Sequence, residues 1–362
     1  SVLRFIKNEI VLVIAAVCAV ISSIFVHPSK EYLHYIDWSV IILLFCLMAV
    51  VAGFKETGVF DWLTQSLLSK TINAKSIGRL LVLLSFFLSM FITNDVALIT
   101  IVPLTIGLFK GSSENRLIFI IVMETVAANL GSIVTPIGNP QNLYLFSAYN
   151  LDIFAFFRIT LPLGTISLAL IIISVSIMKA GEIKGMTSEH FKIDKVKSSV
   201  FLALFVLCLF TVLRVVNPWI CLFFVLIVLL IVDRSVVFEV DYLLLLTFIC
   251  FFVLVGNIAR VESINGFISK MLAGNEIISA VLISQVISNV PAAVMLSSFT
   301  DNAKALLIGT NIGGLGTLVA SLASLISYKL YCSSANAKKA RYLVIFSTIN
   351  FAFLAVLLAI IY

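Results

Sequence analysis

Charge is scarce in this sequence. Its 362 residues include 24 Lys or Arg and 18 Asp or Glu, 12% in all, about half the roughly 25% of a soluble domain. Histidine is nearly missing: His27, His34 and His190 lie in loops, far from the other polar motifs. The cysteines, Cys18, Cys46, Cys208, Cys221, Cys250 and Cys332, stand singly in or at the end of apolar runs. Without a CxxC pair the sequence encodes neither a zinc site nor a disulfide framework, and these residues read as small buried hydrophobes. No P-loop is present, which argues against ATP-driven work by this chain alone. No His, Cys or acid pair forms a catalytic constellation, so neither enzymatic activity nor an organic cofactor is expected. What the chain has instead is apolar mass, 61% hydrophobic residues and a mean hydropathy of +1.17. That composition excludes an ordinary soluble enzyme, a disordered chain and a nucleic-acid binder. It points to an all-α polytopic membrane protein surrounded by lipid.

Runs long enough to cross a bilayer, ~20 residues, occur near 9–26, 38–54, 154–178, 198–214, 218–233, 240–258 and 342–361. The first lacks a convincing small-residue cleavage site and reads as a true span. The runs at 76–110, 114–150, 276–300 and 303–331 are each interrupted by polar, Gly or Pro residues. Irregular backbone at membrane depth is tolerated only where it is buried in protein or lines a cavity. These four segments therefore mark the functional region, as two re-entrant hairpins (76–110, 276–300) and two discontinuous helices (114–150, 303–331).

The interruptions occur in pairs. Ile92-Thr93-Asn94-Asp95-Val96-Ala97 aligns with Ile287-Ser288-Asn289-Val290-Pro291-Ala292. Asn129-Leu130-Gly131-Ser132 aligns with Asn311-Ile312-Gly313-Gly314, which sets Thr135 opposite Thr317. Upstream, Asp37-Trp38 and an apolar run to Gly53 match Asp241-Tyr242 and a run to Gly256. Polar breaks matching in type and order indicate an internal repeat over nearly the whole chain. With the N-terminus cytoplasmic, most Lys and Arg residues fall inside, and only Lys30, Arg158, Arg214, Arg260, Lys270 and Lys304 fall outside. This places the C-terminus outside and turns the second half upside down relative to the first. Inverted repeats with paired discontinuous helices are a signature of secondary transporters. Residues 179–195 are then a cytoplasmic linker, and 55–75, with Lys55, Glu56, Asp61, Lys70 and Lys75 near its ends, reads as an interfacial amphipathic helix.

Two opposed hairpins would bring Thr93-Asn94-Asp95 and Ser288-Asn289-Val290-Pro291 together near the midplane. Half-helix N-termini offer open N–H groups and partial positive charge to an anion. Unwound carbonyls suit a dehydrated cation. One cation site is expected from Thr93, Asn94 and Asp95 with Asn129, Thr135 and Gly138, and a second from Ser288 and Asn289 with Thr310, Asn311 and Gly314. The anion would lie between them, on Thr93, Asn94, Asn139, Asn142, Ser288, Asn289, Pro291 and Thr317. Pro136 and Pro140 end the incoming half-helix of the first break and start the next, whereas Gly313, Gly314 and Gly316 are expected to open the second without proline. Two acids break the symmetry: Asp95 opposite Val290, and Glu124 opposite Leu306. A membrane-embedded acid is functional by default, so Asp95 is assigned to the coupling cation, Na⁺ or H⁺, and Glu124 is a candidate proton site or structural partner. Gln285 is a candidate polar support.

The segments Thr93-Asn-Asp-Val-Ala97, Thr135-Pro-Ile-Gly-Asn-Pro-Gln-Asn142, Ser288-Asn-Val-Pro-Ala292 and Thr310-Asn-Ile-Gly-Gly-Leu-Gly-Thr317 resemble the ion transporter superfamily. The similarity is to the branch of arsenite permeases, D-type sodium/proton antiporters and citrate transporters, and more distantly to divalent anion:sodium symporters. The resemblance implies a homodimer in a bacterial cytoplasmic membrane, with a scaffold (1–75 and 196–274) and an elevator-like transport domain (76–178 and 275–362). It implies cation-coupled transport of a small inorganic oxyanion or di- or tricarboxylate. Oxyanion export, such as arsenite or antimonite, and Na⁺/H⁺ exchange are the alternatives. Dicarboxylate symporters carry Ser-Asn-Thr at both tips. Here Asp95 adds a negative charge to the first tip and Val290 removes a hydroxyl from the second.

Overall fold

The protein's architecture is given by a computed structural model that describes residues 10–68, 74–110, 112–177, 193–334 and 337–362. The described residues form helices and connecting turns, with no strand among them. The first part contains α1 (Ile10–Phe25), the single turn α2 (Tyr32–Tyr35), α3 (Trp38–Glu56) and α4 (Val59–Leu68). Next come α5 (Ala74–Ile92), α6 (Asn94–Leu108), α7 (Glu114–Gly131) with a 3-10 turn at Ser132–Val134, α8 (Pro140–Ala148) and α9 (Ile153–Ser176). Then follow α10 (Lys195–Val212), α11 (Pro218–Val232), α12 (Tyr242–Ala259) and α13 (Glu262–Leu272). The chain closes with α14 (Glu276–Ile287), α15 (Asn289–Ser297), α16 (Ala303–Gly313), α17 (Leu322–Cys332) and α18 (Lys339–Ile361).

Short polar side chains set the helix starts. Asp37 and Asp241 precede α3 and α12, and each accepts a hydrogen bond from the backbone N–H three residues on, of Val40 and Leu244. Asp152, Asp194, Asn217 and Asn302 cap α9, α10, α11 and α16 in the same manner. Such caps satisfy N–H groups that a helix cannot bond itself. Two apolar cores result. One joins α5, α6, α7, α9, α17 and α18 around Ile101, Ile121, Met123 and Phe346. The other joins α3, α8, α10, α11, α12, α15 and α16 around Leu44, Phe201, Phe248 and Leu306.

Among the described residues, seven helices are long and apolar enough to cross a membrane, and an eighth span arises if α13 and α14, bent by 113° at their junction, count as one. Phe210, Phe223, Phe224, Ile231, Val344 and Phe351 point outward and stay exposed in the monomer, where hydrocarbon can cover them. The chain is an integral membrane protein. In the 55–75 segment, α4 has ten residues, about 15 Å of helix against a hydrocarbon core of about 30 Å. Residues 1–9 and most of the expected linker, 178–192, lie outside the described residues. The cysteines are less solitary in space than along the chain: Cys208 and Cys221 sulfurs stand 3.8 Å apart, both buried.

Candidate functional site

The four interrupted segments are interrupted where their polar residues predicted. α5 and α6 pack together and are separated by Thr93 alone; α14 and α15 pack together and are separated by Ser288 alone. Both residues adopt the same unusual backbone, φ 69° and ψ 152° at Thr93, φ 79° and ψ 155° at Ser288. A positive φ on a residue with a Cβ is costly and persists only where the surroundings impose it. Neither side chain caps its following helix.

Each tip is held by the helix break beside it through matching contacts. Thr135 Oγ1 donates to the Met90 carbonyl at 2.5 Å, and Thr317 Oγ1 to the Gln285 carbonyl at 3.0 Å. Met90 and Gln285 each lie three residues before their tip. Gly131 lets α7 approach α5 closely: a Cβ there would sit 2.1 Å from the Phe86 carbonyl oxygen. Gly313 does the same for α16 and α14, where a Cβ would sit 2.8 Å from Ser284 Oγ. This corrects the expectation that three glycines open the second break. Gly313 is within α16 and Gly314 has right-handed helical backbone; only Gly316, at φ 106°, uses the freedom of glycine. Gly313 and Gly314 allow close approach instead, Gly314 to the Asn289 amide.

The first break follows its sequence reading closely. α7 ends at Gly131, the 3-10 turn stops before Pro136, and Pro140 opens α8 with Asn139 as its cap, accepting from Asn142 N–H at 2.8 Å. Asparagines tie the two breaks together. Asn139 Nδ2 donates to Asn311 Oδ1 at 3.0 Å, and Asn311 Nδ2 donates to Asn142 Oδ1 at 2.6 Å. The Asn142 amide also donates to the carbonyls of Ser132, Ile133 and Thr135. Gln285 spans the second break, donating to the Gly313 and Leu315 carbonyls and accepting from Thr317 N–H. It is the polar support it was a candidate to be.

The two tips meet at one cavity of about 260 Å³. Asn94, Asp95, Ser288, Asn289, Val290 and Pro291 line it, with Pro140 and Gln141 from the start of α8 and Ser321 beyond the second break. Asn94 Nδ2 donates to Asn129 Oδ1, which also accepts from Ser321. The remaining expected residues stand back from this cavity. Asn129, Asn139, Asn142 and Asn311 form the buried network behind it, Gly138 receives the Asn94 N–H on its carbonyl, and Thr310 bonds its own helix at Leu306. Thr135 and Thr317 spend their hydroxyls on the tips. Glu124 lies deeper in α7, fully buried, accepting from Thr105 at 2.5 Å.

Three contributors were not singled out from the sequence. Asp241 lines the cavity with Asp95, and Lys329 is the one basic lining residue. Asp241 was visible only as the start of a span and Lys329 only as a topology marker. Ser321, Ser324 and Ser327, at helical spacing, face Asn129 and Thr125 of α7; that i, i+3 series was the available signal. Asp95 keeps one oxygen, Oδ1, buried and without a hydrogen-bond partner.

Residues 2–306 match the family described as citrate transporter. Uncharacterized transporter MJ0456 of Methanocaldococcus jannaschii is 36% identical over 331 residues, 91% of this chain and 90% of that one. Inner membrane protein YbiR of Escherichia coli is 32% identical over 308 residues, covering 83% and 82% of the two chains. Putative transporter arsB of Dictyostelium discoideum is 27% identical over 160 residues, 44% of this chain and 28% of that one. The chain belongs to the citrate transporter family, within the ion transporter superfamily, and is a membrane transporter.

Proposed function

We propose that the protein is a secondary active transporter that couples a cation, Na⁺ or H⁺, to the movement of a small oxyanion or di- or tricarboxylate. The observation that carries this reading is the single cavity shared by both tips. Uncapped helix ends, an acid with an unpartnered oxygen and one lysine line the same space. The two ends have unequal donors. At the first tip the Asn94 N–H bonds the Gly138 carbonyl and the Asp95 N–H bonds Asn94 Oδ1. At the second, the start of α15 presents Asn289 and Val290 with no side-chain cap, ahead of Pro291, which has no N–H to offer. The first tip, with Asp95, is the cation side; the second, with open N–H groups and the positive end of a helix, is the anion side.

The matched contacts at Thr135 and Thr317, and at Gly131 and Gly313, support a reading of the chain as two equivalent halves. With the distribution of basic residues they support opposite orientation of those halves. Binding of the cation orders the tips and completes the anion site, so the two solutes bind as a set. Movement then carries α5–α9 and α14–α18 as one body against α1–α4 and α10–α13 in an elevator cycle, each copy in a homodimer. The partial similarity to a putative arsB transporter favours a second reading, oxyanion export through the same cavity.

Purified protein in proteoliposomes, with imposed Na⁺ and pH gradients, tests both readings. Saturable, gradient-driven uptake of citrate supports the first and gradient-driven movement of arsenite the second. Unsaturable conductance would overturn the carrier reading. A thermal-shift screen of carboxylates and oxyanions with and without Na⁺ identifies the substrate, since a ligand binding only the folded state raises its melting temperature.

A further inference from the structure

Glu124 plays no part in the cavity at the tips, and its surroundings set it apart. It sits in the middle of α7 with no exposed surface. One carboxyl oxygen, Oε1, accepts from the Thr105 hydroxyl at 2.5 Å; the other, Oε2, is buried and has no hydrogen-bond partner. A carboxylate in an apolar interior needs a cation or several donors to offset its lost hydration. Helices α5, α6, α9, α16, α17 and α18 pack against α7. On α5 the basic groups are Lys75 and Arg79, the latter bonded to the Val175 and Ser176 carbonyls. α6 carries only Asp95, in its first turn. Arg158 on α9, Lys304 on α16, Lys329 on α17, and Lys339 and Arg341 on α18 are exposed. α7 itself adds Glu114 and Arg116 in its first turn. The titratable groups that remain are Tyr328, Tyr331 and Cys332 on α17 and Tyr342 on α18, with the Tyr328 ring 5.4 Å from that of Tyr342.

Tyr342 is fully buried, and its hydroxyl, like Glu124 Oε2, has no hydrogen-bond partner. Its ring stacks on that of Tyr331 at a centroid separation of 4.9 Å, and the Tyr331 hydroxyl donates to Glu114 at the start of α7. On the other side of Glu124, Thr125 bonds Ser327 at 2.8 Å, Asn129 bonds Ser324 at 3.4 Å, and Asn129 accepts from Asn94 at 3.0 Å. A polar seam between α7 and α17 therefore runs from the tip of the first hairpin to the level of Glu124.

We propose that Glu124 is a second proton-binding site, separate from Asp95, that holds a proton on Oε2 in this conformation. The protonated acid is neutral and accepts the Thr105 hydroxyl on Oε1, as the structure shows. On release the Oε2–H bond breaks and an O–H bond forms to a water molecule that reaches Oε2 when the packed helices part, which leaves the carboxylate and a hydronium ion. The seam through Thr125 and Asn129 links the charge state of Glu124 to the hairpin that carries Asp95. The site gains its transport meaning from the reading of the tips as a cation-coupled site, but its protonation is testable without it.

Infrared difference spectroscopy of the full chain in lipid, titrated with pH and repeated in ²H₂O, reads buried protonated carboxyls directly. Wild-type protein is expected to show a deuterium-sensitive carboxyl C=O band that is lost in Glu124→Gln and kept in Glu114→Gln and Asp95→Asn. Thr105→Val should shift that band by removing the hydrogen bond to Oε1. This keeps the test decisive if Glu124→Gln does not fold. A band unaltered by both Glu124→Gln and Thr105→Val would overturn the proposal. In proteoliposomes, Glu124→Gln is expected to flatten the pH dependence of citrate uptake at least tenfold, and uptake with the wild-type pH profile would also overturn it. Absence of wild-type citrate uptake alongside a Glu124 band would reject citrate as the substrate while leaving the proton site standing.

Discussion

The two hairpin tips have nearly the same backbone and different chemistry. Thr93 and Ser288 share a strained conformation, and each is gripped by a threonine four residues beyond a glycine-mediated helix contact. Past the tip they diverge. The first carries Asp95 and has its leading N–H groups already bonded; the second carries Val290 and leaves its helix start uncapped. On the proposed reading, equivalent frames with unequal side chains would let one protein hold solutes of opposite charge in adjacent places.

That contrast can be broken experimentally. Asp95→Asn should have the largest effect, removing the cation dependence of substrate binding altogether in a thermal-shift titration with and without Na⁺ at several pH values. Retained dependence would move the cation away from the first tip. Next, Gly131→Ala forces a Cβ to 2.1 Å from the backbone carbonyl oxygen of Phe86, whereas Gly313→Ala makes a looser clash, 2.8 Å from Ser284 Oγ and 2.9 Å from its Cβ. Overpacking of this kind costs about 1–3 kcal/mol, and Gly131→Ala should fall at the top of that range and Gly313→Ala at the bottom. Melting curves in detergent decide the order. Asn311→Ala removes the group that joins both breaks and leaves Asn139 and Asn142 short of a partner, a loss of about 2 kcal/mol for buried polar groups. It should weaken both halves together. The smallest effect is expected from Thr135→Val and Thr317→Val, about 1 kcal/mol each. If only one of that pair is destabilising, the two grips are not equivalent.

Much of this was legible along the chain. Asp37, Asn139, Asp241 and Pro140 mark helix starts by chemistry that acts within three or four residues. The polar interruptions at Thr93 and Ser288 declare themselves because hydrocarbon does not tolerate unpaired backbone. Other features were hidden. Gly313 and Gly314 look like flexibility in a sequence, yet they serve contact with Ser284 and Asn289, residues distant along the chain. Lys329 and Asp241 join the site only because α17 and the start of α12 border the same cavity. The three serines of α17 gain meaning only opposite Thr125 and Asn129.

The sequence by itself determined that the chain lives in a membrane, where its helices begin and which four segments break, because hydropathy, capping and turn chemistry are local and short in range. The tertiary structure decided which broken ends share a cavity, which asparagines line it and which brace the breaks behind it, and which carboxyl oxygens stand without a hydrogen-bond partner. Those outcomes depend on contacts between residues up to about 200 positions apart, such as Thr125 with Ser327, and packing rather than spacing along the chain selects them.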